Sequence, residues 1–353
     1  MLGGTFNADM LLLARGAREM TQAEAAAATG ITQAMLSKVE NRLVQPSSEV
    51  AVNLAKALGF PVEFFYQEER AHGFPHFHHR KRNKLGAKTL DKIHAVINIR
   101  RQHIVKLLRS YDAPTDKPIP LIDLDEKGIT PIDVARMMRE YWMLPRGPID
   151  SVVAVIERAG GIVIVSDFGT ALLDGISFRT PGLPPIFVMN KNVPGDRFRF
   201  SLAHELGHMI MHNIPDDDEA MEDHADEFAS AFLAPGAEVR PHLMPPAIAK
   251  FARAKLYWKV SIKSLIRRAH DLKLMTPHQY KTLNIEYSKA GYNSGEPNPI
   301  PLEEPSLLGR MVQFHMRELG YTASDLANLL LMEEGEFRQI YLPRRPLELV
   351  VSN

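Results

Sequence analysis

The stretch Ser201-Leu-Ala-His204-Glu205-Leu206-Gly207-His208-Met-Ile210 decides how this chain is read. On a helix, positions i and i+4 share one face, so His204 and His208 point the same way. Two imidazoles so placed reach one metal ion at about 2.0–2.1 Å. Glu205 stands beside them and can accept a proton from a metal-bound water. Leu202, Met209 and Ile210 are apolar, and Leu206 and Gly207 carry no charge. This helix, expected over 197–212, should be buried with only its ligand face open.

The next helix, expected over 217–233, carries Glu222-Asp-His224-Ala225-Asp226-Glu-Phe228-Ala229. Glu222 is the expected third ligand. Asp226, four residues on, is expected to hold the free ring nitrogen of a ligand histidine. His224 lies about 200° from Glu222 around a helix, so the two cannot both face the ion. His212 continues the first histidine face by one more step, but far along the axis. It is expected to cap the helix end or face solvent. The acidic run at 216–219 reads as a solvated loop. Met211 stands where the longer HExxHxxGxxH form needs glycine, so that form is absent.

Composition narrows the chemistry. The chain has 353 residues, enough for two or three domains. It contains no cysteine, which excludes disulfide scaffolds, thiolate zinc fingers and cysteine nucleophiles. A transition metal must then be held by His, Asp and Glu. Lys plus Arg equals Asp plus Glu at 42 each, so only local charge asymmetry can argue for a partner. The longest apolar run near the start is 10–14, too short for an export signal or membrane span, and cytoplasmic localisation is expected.

Upstream of the histidine motif, helices are expected over 130–142 and 149–159. Short strands follow over 160–165, 175–179 and 185–190. The last of these, from Pro185 to Asn190, is the expected partner for an extended substrate. One or two helices are expected over 250–271. The expected fold is mainly α with an α+β domain: a helical DNA-binding bundle, then a zincin-like metallopeptidase domain with a small sheet. Four regions are expected: a DNA-binding domain at 1–70, a basic helical linker at 71–120, the metallopeptidase domain at 121–295 and a helical region at 296–353.

The first region supplies the DNA reading. Thr21 with Glu24 forms a capping box, Gly30 can take a left-handed turn, and Thr32 caps the following helix. This is the form of a helix-turn-helix. Ala23, Ala27, Leu36 and Val39 are its expected core. Gln33, Ala34 and Lys38, after the Thr32 cap, face outward where such a helix enters the major groove. Gln favours adenine and Lys guanine. Gln22 and Asn41 suit phosphate contacts.

Charge complicates the picture. Residues 1–70 hold six basic and eight acidic side chains, whereas 71–110 holds ten basic residues against Asp91. A helix expected over 89–111 lies in that basic segment, a candidate for phosphate contact. His76, His78 and His79 precede it and are read as part of a basic linker. Near the end, helices are expected over 307–319, 323–330 and 334–341. These faintly echo a second helix-turn-helix, but they lack basic readout residues, so packing or oligomerisation is expected.

Two resemblances follow from these residues. Residues 8–67, through Gly59-Phe-Pro-Val-Glu-Phe-Phe65, resemble the Cro/C1-type (XRE) repressor domain. Arg197-Phe-Arg-Phe-Ser-Leu-Ala-His-Glu-Leu-Gly-His, with Glu222-x-x-Ala-Asp-x-Phe-Ala, Phe232-Leu-Ala-Pro235, Asp174-Gly-Ile-Ser and Ile186-Phe-Val-Met-Asn190, resembles the ImmA/IrrE-type metallopeptidase domain over about 120–290. That family often has Glu-x-Glu-Ala-Asn where this chain has His224 and Asp226 at the second and last polar positions. The resemblance implies Zn2+ on His204, His208 and Glu222, with Glu205 as base in peptide hydrolysis. It further implies a transcriptional regulator that binds an operator and cleaves a repressor or other protein partner; the paired half-sites that such domains read point to a homodimer. The alternatives are a non-catalytic repressor and an antitoxin-like protein, in which this domain is a sensor or partner-binding module.

Overall fold

The computed structural model describes residues 4–69, 71–73, 85–112, 115, 117–212 and 219–342. His76, His78, His79 and the basic residues of 80–84 lie outside them, as does most of the acidic run at 216–219. In chain order the helices are α1 (Ala8–Ala17), α2 (Gln22–Thr29), α3 (Gln33–Glu40), α4 (Ser48–Leu58), α5 (Ala87–Leu108), α6 (Pro131–Tyr141) and α7 (Val152–Arg158). Three strands follow, β1 (Ile162–Ser166), β2 (Gly175–Phe178) and β3 (Ile186–Asn190). Besides a 3-10 turn at Val62–Tyr66 and a single helical turn at Leu124–Lys127, the remaining helices are α8 (Gly195–Met211), α9 (Glu219–Leu233), α10 (Gly236–Leu243), α11 (Ile248–Trp258), α12 (Ile262–Asp271), α13 (Pro277–Lys289), α14 (Leu307–Arg317), α15 (Ala323–Leu330) and α16 (Glu334–Tyr341). The mainly helical architecture with one small mixed sheet is the one expected.

Two compact units divide the described chain. The first joins the N-terminal helices, α5 and the three C-terminal helices; the second holds everything from 115 to 305. This division differs from the expected four regions, and the reason lies in α5. Its many cations conceal an apolar stripe, Ile93, Ile97, Ile104 and Leu107, all buried. At Gly16 on α1 the two helices touch: a methyl there would lie 2.8 Å from the Asp91 carbonyl oxygen. Thus α5 is a core helix of the first unit rather than a linker. Glu296 and Glu303, expected to belong with the C-terminal region, instead bind groups of the second unit. Glu296 accepts from Lys255 at 2.9 Å and Glu303 from the Ser151 hydroxyl at 2.7 Å.

Helix caps match the sequence signals. Thr21 accepts from the Glu24 amide and Glu24 reciprocates, while Gly30 closes α2 at φ 72°. Thr32 accepts from the Met35 amide at 3.2 Å and starts α3. Leu36 and Val39 are core, as expected, but Ala23 and Ala27 are exposed and Ala25 and Ala26 are buried instead. Consecutive alanines present the same small apolar surface all round and so carry no helical phase.

In the second unit the sheet order is β1-β3-β2, with β1 parallel and β2 antiparallel to β3. The strand at 186–190 is therefore the middle one, bonded on both sides. It cannot also pair with a substrate, contrary to expectation; β2 is bonded on one side only. Beside the sheet, α8 and α9 cross closely at Gly207. A methyl there would come within 3.0 Å of the Phe228 ring and 3.3 Å of the Ala225 Cα. That contact brings the polar face of α9 to the histidine face of α8.

Candidate metal centre and nucleic-acid interface

His204 and His208 project from one face of α8, with Nε2 atoms 3.0 Å apart. Glu222 reaches in from α9, its carboxylate oxygens 3.2 Å from His208 Nε2 and 3.7 Å from His204 Nε2. One ligand atom from each lies within 4.8 Å of the others. Two imidazole lone pairs facing at this distance repel each other unless a proton or cation lies between them. Two imidazoles and a carboxylate form a donor set suited to a divalent transition metal with three protein ligands. The residues present therefore fit a metal ion.

Groups behind the ligands fix their orientation. Asp226 Oδ1 lies 2.8 Å from His204 Nδ1, which leaves Nε2 directed at Glu222 and His208. Burial works against the charged form of His204, yet hydrogen bonds to Asp226 and Glu222 outweigh it and push its pKa up to about 9. The same negative field that holds a proton there favours a cation. Behind His208, at 2.9 Å from its Nδ1, stands His212 Nδ1. His212 is buried rather than solvent-facing, and its ring stacks near that of His224. Burial, then the neighbouring histidines, pull its pKa down to about 4.

Glu205 lies on the same helix, and its Oε2 accepts from the Ser177 hydroxyl of β2 at 2.6 Å. Ser177 escaped the residue-by-residue reading, and the expectation for His212 missed its burial behind His208. His212 carried a signal in its i+4 spacing, and Ser177 closes the Asp174-Gly-Ile-Ser segment.

In the first unit, Thr32, Gln33, Ala34 and Lys38 are exposed along α3. Gln22 donates to Glu40 at 2.6 Å, and the same carboxylate accepts from Arg15 at 2.6 Å. Asn41 folds back onto the Ser37 carbonyl at 2.8 Å. Each side chain thus has a partner within the unit, and each amide keeps a further N–H. Several α5 cations are similarly engaged: Lys92 with Glu19, Lys106 with Gln67 and Arg100 with Tyr341.

Comparison with known families agrees with both halves. Residues 11–65 match a helix-turn-helix family, and residues 156–270 match the IrrE N-terminal-like domain, a metallopeptidase-type family. The chain thus carries a helix-turn-helix match followed by an IrrE N-terminal-like match. No curated protein matches it. The matched helix-turn-helix spans α1 to the end of the first bundle and contains the open α3 face. The IrrE N-terminal-like match runs from α7 to α12 and contains every residue of the metal centre. Among the described residues, no helix is long and apolar enough to cross a membrane.

Proposed function

We propose that this protein is a cytoplasmic DNA-binding transcription regulator whose second unit hydrolyses a peptide bond in a repressor or other protein partner, using zinc held by His204, His208 and Glu222. The observation that carries the proposal is the convergence of those three side chains within 4.8 Å, with Glu205 alongside. Bound there, the ion would supply Lewis-acid polarisation and an acidified water. Glu205 then takes the proton from one side of the site and delivers it to the leaving nitrogen. Ser177 fixes the Glu205 carboxylate through one oxygen. Asp226 holds the His204 ring. An extended substrate would lie along β2, where backbone groups on one edge are left for a strand to pair with.

On the DNA side, Gln33 and Lys38 read base edges, with Thr32 and Ala34 closing against the groove. Gln22 and Asn41 brace the α3 framework and meet the phosphate backbone with their remaining N–H groups. A homodimer would suit operators with two half-sites.

Metal analysis combined with one conservative variant tests this reading. Mass spectrometry should find one zinc per wild-type chain and none in His204→Ala or Glu222→Ala. Glu205→Gln should keep the ion, while hydrolysis of the partner falls about 10²–10⁴-fold. A Glu205→Gln strain that regulates its target like wild type would instead establish a non-catalytic sensor or antitoxin-like role.

A further inference from the structure

A second concave site lies in the same unit, built from α6, the loop after it and the start of α10. Its volume is about 510 Å³. Ile132, Met143, Leu144 and Ala231 give it apolar walls. Four arginines also line it, against Glu140 and Glu238.

The arginines are not equivalent. Arg139 is spent on structure, donating to the carbonyls of Phe232, Pro145 and Gly147. Arg136 pairs with Asp133 at 3.1 Å. Arg268 is only 5% exposed, and its Nε donates to the Ala234 carbonyl at 3.0 Å. Its two terminal nitrogens have no acceptor among the described residues. Arg146, exposed on the rim, has none either. Of the two carboxylates, Glu238 accepts from the Gly147 amide and Glu140 lies in solvent.

The Asp271 and Glu227 carboxylates offset part of the Arg268 charge without bonding to it, and its two terminal groups keep donor capacity toward the cavity. The neighbouring backbone favours the same charge. Helix α10 begins at Gly236 with no side-chain cap. A methyl on Gly236 would lie 3.7 Å from Nη2 of Arg268. The positive end of a helix and a guanidinium with open donor groups thus meet at one wall. Ile132, Met143 and Leu144 supply apolar lining beside that wall's charge.

We infer that this cavity binds a small organic anion, with a carboxylate or phosphate headgroup on Arg268 and the α10 N-terminus and an apolar body against Ile132, Met143 and Leu144. The site is separate from the metal ligands, and the inference does not depend on peptidase activity.

Calorimetry on the full-length protein tests it, with hexanoate and hexyl phosphate as probes and hexanol and inorganic phosphate as controls. One or both organic anions should bind once per chain, and the tighter one identifies the headgroup. Hexanol and inorganic phosphate should each bind at least about tenfold more weakly, since each lacks half of the recognised chemistry. Arg268→Gln should lower affinity about tenfold or more. Arg146→Glu, on the surface, should lower it as well without disturbing the fold, and decides the matter should Arg268→Gln not fold. No binding of either organic anion, equal binding of a control, or unchanged affinity in Arg146→Glu overturns the inference.

Discussion

The Nδ1 atoms of His208 and His212 lie 2.9 Å apart, placing a neutral buried imidazole behind one candidate ligand as Asp226 stands behind the other. For His208 to offer Nε2 to an ion, its Nδ1 must carry the proton and donate it. His212, held near a pKa of about 4 by burial first and neighbouring histidines second, remains an acceptor at ordinary pH.

His212→Ala should therefore keep one zinc per chain but weaken its binding about 10–100-fold. Competition with a chromogenic chelator measures this. An unchanged affinity would show that His208 needs no support from behind.

Gly207→Ala should damage the metal centre from outside it. The added methyl meets the Phe228 ring at 3.0 Å and the Ala225 backbone at 3.3 Å, so α9 must move away from α8. A loss of about 1–3 kcal/mol in stability is expected, with weaker metal binding because Glu222 moves with α9. Thermal unfolding with and without zinc separates the two effects; equal losses in both would argue that Glu222 stays in place.

On DNA, Gln33→Ala should cost about 1–3 kcal/mol on the best operator and relax preference at one base pair. Lys38→Ala, which removes a second base reader, should likewise cost about 1–3 kcal/mol and relax preference at another base pair. Binding titrations at several salt concentrations check both. A Lys38→Ala loss that is equal on all sequences and flattens the salt dependence by about one unit of slope would instead assign Lys38 to phosphate contact.

Acid should loosen the C-terminal helices. His103 on α5 lies 2.7 Å from the Tyr341 hydroxyl on α16, and Arg100 donates to that same oxygen at 2.9 Å. Tyr341 therefore gives its proton to His103, which must stay neutral to receive it. Burial, reinforced by Arg100 and Lys106, holds the His103 pKa well below the usual histidine value. A folded pKa below the unfolded one makes this contribution fully present above about pH 6.5 and lost as pH falls below it. Stability should fall by up to about 1.4 kcal/mol per pH unit in that range. His103→Phe should remove that slope in pH-dependent unfolding; a slope that survives would place the titrating group elsewhere.

How much was legible beforehand depended on the kind of signal. Caps at Thr21, Thr32 and Gly30 are local chemistry, and the structure keeps each one. The alanine run of α2 had composition but no phase, so its buried members were misread. The charges of α5 hid its apolar stripe because counting cations says nothing about which face they occupy. The substrate-facing strand was misassigned because strand order is a long-range property: nothing within 186–190 states that β1 and β2 flank it.

By itself, the sequence determined which side chains share a face: His204 with His208 on one helix, Glu222 with Asp226 on the next, and Ala34 with Lys38 on a third. Periodicity follows from backbone geometry, which each segment carries alone. Only tertiary structure decided which faces meet. The close crossing at Gly207 brings Glu222 to the histidines, burial makes His212 a support for His208, and the apolar stripe of α5 places a basic helix in a core. These outcomes depend on the shapes of two packed surfaces at once, and neither surface is written in a single stretch of chain.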